Sequence, residues 1–387
     1  MFNTIAIHAG SSRAHRLRYL MAATNWLEIS RDLANFPNEH ELTRVCGGIS
    51  PEVVIIDMEV PETIDLAAVV REVLPSAAIV GYGPSAEASM IATKVGFDIT
   101  IPVDSSVDDL RYALQEALRK RQGGIEKSLL CFLPAKAGSG CSTIVLNTAA
   151  ALARDQGKRV LVLDTDLRSG ILSVMLAVKP KSSIQNLLAV VEGLDQRRFK
   201  DFVVSSQGVD YLLSSRILDI APPEWMDYFH LLSITIKQYD VIMVDMPELI
   251  NPATVELARR AREVYVVTTP EIPSLTLAKQ RFEELGRLSI PKTRMGLLVN
   301  RLHRSDPSPD QIAEMAGHAV SKTFPNDYVG LRSAIIAGRP VTENSRLGAA
   351  YADFAAELIG KTIVHDTSLA GKLKSLWGIR ESSTISN

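Results

Sequence analysis

The chain has 387 residues, 46% of them hydrophobic, and 42 Lys and Arg against 44 Asp and Glu for a formal net charge of −2. That length allows two or three domains with real cores, while the balanced charge excludes a protein that coats polyanions through a basic excess. No run approaches the ~18 apolar residues of a membrane span. The opening MFNTIAIHAGSSRAHR holds a short apolar alternation rather than a signal-peptide core. Cys46, Cys131 and Cys141 form neither a disulfide framework nor a CxxC metal site. The expectation is a soluble, reduced, cytoplasmic protein.

In chain order, apolar runs at Thr4–Ile7, Val53–Ile56, Ala78–Gly81 and Ile99–Val103 alternate with helix-like segments, the last of them Asp108–Lys120. Such alternation predicts a parallel sheet covered on both faces. The basic, glycine-containing stretch from Leu118 to Ile125 reads as a linker, or as the frayed end of that helix. A second, larger block follows with strands expected at Leu129–Leu133, Val160–Asp164, Val241–Asp245, Val264–Thr268 and Met295–Asn300. The expected organisation is residues 1–120, a linker at 121–127, a nucleotide-binding domain at 128–365 and a tail at 366–387. In the tail, Leu369, Leu373, Leu376 and Trp377 share one helical face with Lys372 and Lys374 beside it. Such a helix either lies on a membrane surface or partner, or docks back on its own domain.

The segment from Ser128 to Asn147 runs from an apolar strand through small residues into a helix starting near Ser142. Small residues let backbone N–H groups turn inward around an anion, and a helix N-terminus adds roughly half a positive charge. Ser142 stands where a hydroxyl would ligate Mg²⁺. The strict pattern GxxxxGK[ST] is not met, because Ala135 takes the first glycine position and Cys141 the lysine position. A strand–turn–helix without a ligand would share this pattern. Three further strand ends carry polar groups. Asp164 and Asp166 are spaced i, i+2; Asp245 closes a buried strand and could hold a Mg²⁺-bound water; and Asn300–Arg301 could read a purine edge. Ligands bind at such strand ends in parallel sheets.

These motifs, in this order, resemble the MinD/ParA family of deviant-Walker ATPases over roughly residues 127–365. The stretches Val267–Lys279, Phe324–Tyr328 and Ile335–Pro340 add to the likeness. The placement of a receiver-like domain before the ATPase most resembles the TadZ/CpaE pilus-assembly proteins. The resemblance implies an α/β fold with a receiver-like (flavodoxin-like) sheet and a larger doubly wound P-loop domain. It implies ATP and Mg²⁺ as cofactors, with Ala137, Gly138, Ser139, Gly140, Cys141, Ser142 and Thr143 as the cradle and Ser142, Asp164 and Asp245 at the metal. Lys136 would reach across a face-to-face homodimer to the partner's phosphates, Asp166 would position the attacking water, and Asn300, Arg301 and Pro325 would line the adenine pocket. Phosphoryl transfer rests on positioning and charge neutralisation, so each role is electrostatic. Cys141 departs from the family, since a neutral thiol cannot bridge phosphates. Losing a charge-assisted contact costs about 1.5–3 kcal/mol, so at most a slow ATPase is expected.

The first block resembles a response-regulator receiver with Asp57 at the phosphoacceptor position. The acidic pair after strand one is replaced by Ile7–Ser12, and the lysine expected near Ile101–Asp104 is missing. A docking or dimerisation role is expected rather than phosphorylation, with His8 and His15 on the surface. The resemblance implies a homodimeric localisation scaffold for a pilus or secretion machine at a cell pole. A peripheral membrane contact would be added by the tail, and no specific nucleic acid is expected. A ParA/MinD-type partitioning ATPase acting on DNA or membrane is the alternative. For that reading the basic clusters Arg259–Arg262 and Arg301–Arg304 are the candidate contacts, although either would also serve as a solvated face.

Overall fold

A computed structural model describes residues 1–10, 12–122, 124–215 and 222–360. The expected tail at 366–387 lies outside the described residues. The chain divides into two compact units, Met1–Ile125 and a second beginning at Glu126.

The first unit holds five strands, β1 (Phe2–Ile7), β2 (Leu27–Leu33), β3 (Val53–Asp57), β4 (Ala78–Tyr82) and β5 (Ile99–Ile101). They are parallel and ordered β2-β1-β3-β4-β5, the flavodoxin-like doubly wound order. Every residue of β3 and β4 is buried, as expected where helices cover both faces of a sheet. Strand β2 was not among the apolar runs of the sequence. It lies at the sheet edge and, apart from Leu27, its side chains are exposed or half-buried, so it carries no continuous hydrophobic signal. The helix before the unit boundary runs Val107–Gln122 and buries Leu118 completely.

The second unit is an eight-stranded sheet ordered β13-β12-β11-β6-β10-β7-β9-β8. Its strands are β6 (Glu126–Pro134), β7 (Val160–Asp164), β8 (Val204–Ser206), β9 (Val209–Leu212), β10 (Val241–Asp245), β11 (Ala261–Thr268), β12 (Met295–Leu302) and β13 (Val320–Pro325). Only the β8–β9 pair is antiparallel. Three of these strands, β8, β9 and β13, were not anticipated; all are short or peripheral. Side chains alternate across the central strand. Leu129, Cys131 and Leu133 enter one core, with Tyr228, Leu257 and Leu285. Leu130 and Phe132 enter the other, with Ile144, Val145 and Phe354. The helix Cys141–Gln156 packs on that second face, which fixes the loop before it at the C-terminal edge of β6.

Candidate functional site

The site is built where β6, β7 and β10 end side by side. Asp245 is in register with Asp164 of β7 on one side and Phe132 of β6 on the other. Thr165 ties the two carboxylate strands together by donating its N–H and its hydroxyl to Asp245 O.

Between β6 and the helix Cys141–Gln156 the loop turns through Gly138 (φ +79°) and Gly140 (φ +91°), conformations that L side chains rarely adopt. Gly140 is the N-cap and no side chain caps the helix, leaving first-turn N–H groups for an outside acceptor. A Cβ at Gly140 would lie 2.1 Å from Asn300 Nδ2, so this position needs glycine on steric grounds as well. Asn300 explains the closeness. Its Nδ2 donates to Ser139 O at 2.9 Å and its Oδ1 accepts from Arg301 N at 3.0 Å. In this arrangement Asn300 fastens β12 to the loop. Arg301 is exposed, with φ +56°, and Pro325 ends the edge strand β13.

Ser139 is fully buried, and its hydroxyl has no hydrogen-bond partner among the described residues. Ser142 and Thr143 are half-buried in the first helical turn. The Ser142 hydroxyl lies beside the Asp245 carboxylate and favours its charged form. Cys141 is buried; its thiol donates to Phe132 O at 3.3 Å and lies against Asp245. Burial, then the Asp245 charge, holds that thiol well above the usual range. A thiolate needs a lowered pKa, so Cys141 is an inert space-filler rather than a nucleophile.

The two buried carboxylates are both held above the ordinary range. Asp245 is pushed up to about 6, chiefly by burial and against the hydrogen bonds from Ser142 and Cys141. Asp164 is pushed up to about 8 by burial and then by the Asp245 charge, against hydrogen bonds from Ser214. Ser214 Oγ donates to Asp164 Oδ2 at 2.7 Å, while Asp164 Oδ1 has no hydrogen-bond partner among the described residues. Asp166, by contrast, folds back on its own loop and accepts from Ser169 N at 2.9 Å and Arg168 N at 3.3 Å.

Asp164 gives a pH prediction. Its native pKa stands near 8 against 3.8 for the ordinary carboxyl, so across that interval the native state holds a proton that the unfolded chain has released. Stability therefore falls as pH rises from about 4 towards about 8 and levels off above. Asp164→Asn keeps an acceptor for Ser214 but cannot ionise. Denaturant melts between about pH 5 and about pH 9 should show a flatter profile and greater stability than the parent at the alkaline end. An unchanged slope would contradict the burial argument.

Several contacts escaped the sequence reading. Glu248, three residues beyond Asp245, accepts the Ala137 N–H at 2.9 Å; nothing in its spacing marks it. Lys136 is half-buried and lies close enough to Glu271 to favour that carboxylate, after the larger effect of Thr269. In the first unit, Asp57 is fully buried and paired with Arg13 Nη2 at 2.8 Å. The same guanidinium nitrogen donates to Gly83 O at 2.8 Å, and a Cβ at Gly83 (φ +63°) would lie 1.9 Å from it. Arg13 thus supplies a cation directly to the buried Asp57 carboxylate. Its signal was present in the SSRAHR stretch, where a cation follows β1 instead of acids. His8 corrects the expectation of a surface residue, being buried and bonded to Asp32 at 2.7 Å and Arg18 at 3.0 Å; His15 is exposed.

The strand order and the loop make the second unit a P-loop α/β fold. It is of the MinD/ParA type, and MinD and ParA proteins are among its relatives in sequence and structure. A ParA family ATPase from Chlorobium tepidum superposes with a TM-score of 0.56 at 26% identity, over 59% of this chain and 98% of that one. Septum site-determining protein MinD of Bacillus subtilis is 24% identical over 271 residues, 63% of this chain and 96% of MinD. EpsB of Ralstonia solanacearum, named as a tyrosine-protein kinase, is 29% identical over 199 residues, 49% of this chain. The chain spans only 25% of EpsB. No protein-family model matches the chain. Among the described residues no helix is long and apolar enough to cross a membrane.

Proposed function

We propose that this chain is an ATP-binding localisation scaffold of a Tad-type pilus or secretion machine, closing as a nucleotide-sandwich homodimer with weak or no hydrolysis. One observation carries the reading: a phosphate-type loop whose lysine position is a buried thiol held on Phe132 O and Asp245. Such a loop keeps the backbone cradle and loses the side-chain cation that stabilises transition-state charge. That suits a protein gated by nucleotide more than one that turns it over.

Mg²⁺ fits the donors. The Ser142 hydroxyl and Asp245 carboxylate are already in contact, and Asp164 Oδ1 is an unused buried acceptor. Among the described residues no group of three or more His, Cys, Asp or Glu forms a metal cage. The ion would therefore rest on few protein ligands plus water and phosphate oxygens, as Mg²⁺ commonly does. When bound it would supply positive charge where lysine is missing. Gly138, Ser139 and Thr143 complete the cradle in this reading, with Asp166 positioning water and Asn300, Arg301 and Pro325 beside the base. The first unit is read as a silenced receiver used for docking, because Arg13 already neutralises Asp57.

The second reading is a partitioning ATPase on DNA or membrane, favoured by the MinD and ParA likeness. Localisation separates the two. A fluorescent fusion should concentrate at the pole in cells carrying the machine and disperse when the machine is deleted. Nucleoid or membrane distribution independent of the machine would favour the alternative.

A further inference from the structure

The loop already holds an anion belonging to the chain itself. The Ala137 N–H donates to Glu248 Oε2 at 2.9 Å, and Glu248 Oε1 lies 3.9 Å from Arg281 Nη2. Arg281 is mostly buried on the helix Ile272–Arg287 and is fixed by Glu284 at 2.7 Å. Glu248 itself is 40% exposed, so its side chain is free to leave, and a glutamate of that exposure would ordinarily remain in water. Its position on the loop amide is therefore set by the attraction of that amide and of Arg281 for negative charge. On the same loop Lys136 lies near a second carboxylate, Glu271.

We propose that Glu248 is an internal competitor for the phosphate loop: its carboxylate holds the Ala137 amide, and an incoming nucleotide phosphate must expel it. The proposal rests on the nucleotide reading above and adds what sets its affinity. With Cys141 in place of lysine the loop has one cation fewer to favour phosphate over carboxylate. Glu248 thus acts as a threshold for phosphate binding.

The test is a calorimetric titration of Mg-ATP into the full chain, into Glu248→Gln and into Glu248→Ala, with amide exchange at Ala137 followed in parallel. A charged hydrogen bond of this kind corresponds to about tenfold in affinity. Glu248→Ala should bind about tenfold more tightly, Glu248→Gln by less because it keeps a neutral acceptor, and the Ala137 amide should exchange faster in Glu248→Ala. Equal, measurable affinities in all three proteins would overturn the competitor while leaving the nucleotide reading intact. If none binds ATP at millimolar concentration, the nucleotide reading fails and the proposal goes with it.

Discussion

Cys141→Lys should raise ATP hydrolysis at least about tenfold, because it restores a charge-assisted contact to phosphate. The native side chain is small, buried and placed between the end of β6 and Asp245. A lysine there would meet two carboxylates, Asp245 and its neighbour Asp164, that have no cation partner among the described residues. Its charge would pull both back towards the ordinary carboxylate range. The variant should therefore change two things at once: phosphate release under saturating Mg-ATP should rise, and the loss of stability between about pH 4 and about pH 8 should shrink. A flatter pH profile without faster hydrolysis would mean that charge was restored but the water-positioning groups are not competent. Neither change would mean that another cation already compensates.

Lys136→Ala should abolish ATP-dependent dimerisation while leaving each subunit folded. Lys136 precedes both loop glycines and is half-buried. Its charge acts on the Glu271 carboxylate, which is exposed. Removing it should leave far-UV circular dichroism unchanged. Truncating one member of a desolvated charge pair at an interface costs about 2–5 kcal/mol, enough to weaken a dimer by well over tenfold. Sedimentation with and without Mg-ATP reads the effect. A variant that still dimerises on ATP addition would remove Lys136 from the interface.

The inner strands were legible because they are buried on both faces: β3, β7 and β10 appear as unbroken apolar runs ending in aspartate, and β6 contains the buried run Leu129–Pro134. The edge was not legible. Strand β2, Leu-Glu-Ile-Ser-Arg-Asp-Leu, exposes most of its side chains, and β13, Val-Ser-Lys-Thr-Phe-Pro, fully buries only Phe324; neither pattern separates from loop by composition. Within the site, spacing marked the loop, Asp164 and Asp245, and the two aspartates stand in register at adjacent strand ends. It could not locate contacts made by distant chain segments, such as Ser214 on Asp164, Glu248 on the Ala137 amide or Arg13 on Asp57. Asn300 shows the limit from the other side. Its donor–acceptor amide was legible as a group that reads something, and here it holds the carbonyl of Ser139.

The central claim is that a loop without its lysine still binds ATP. Calorimetric titration of ATP into the purified chain, with and without Mg²⁺, tests it directly. Binding should be micromolar and depend on Mg²⁺, because the backbone cradle, Ser142 and Asp245 remain in place while the metal supplies the missing charge. No binding at millimolar nucleotide would contradict it and leave the second unit to act through protein contacts alone.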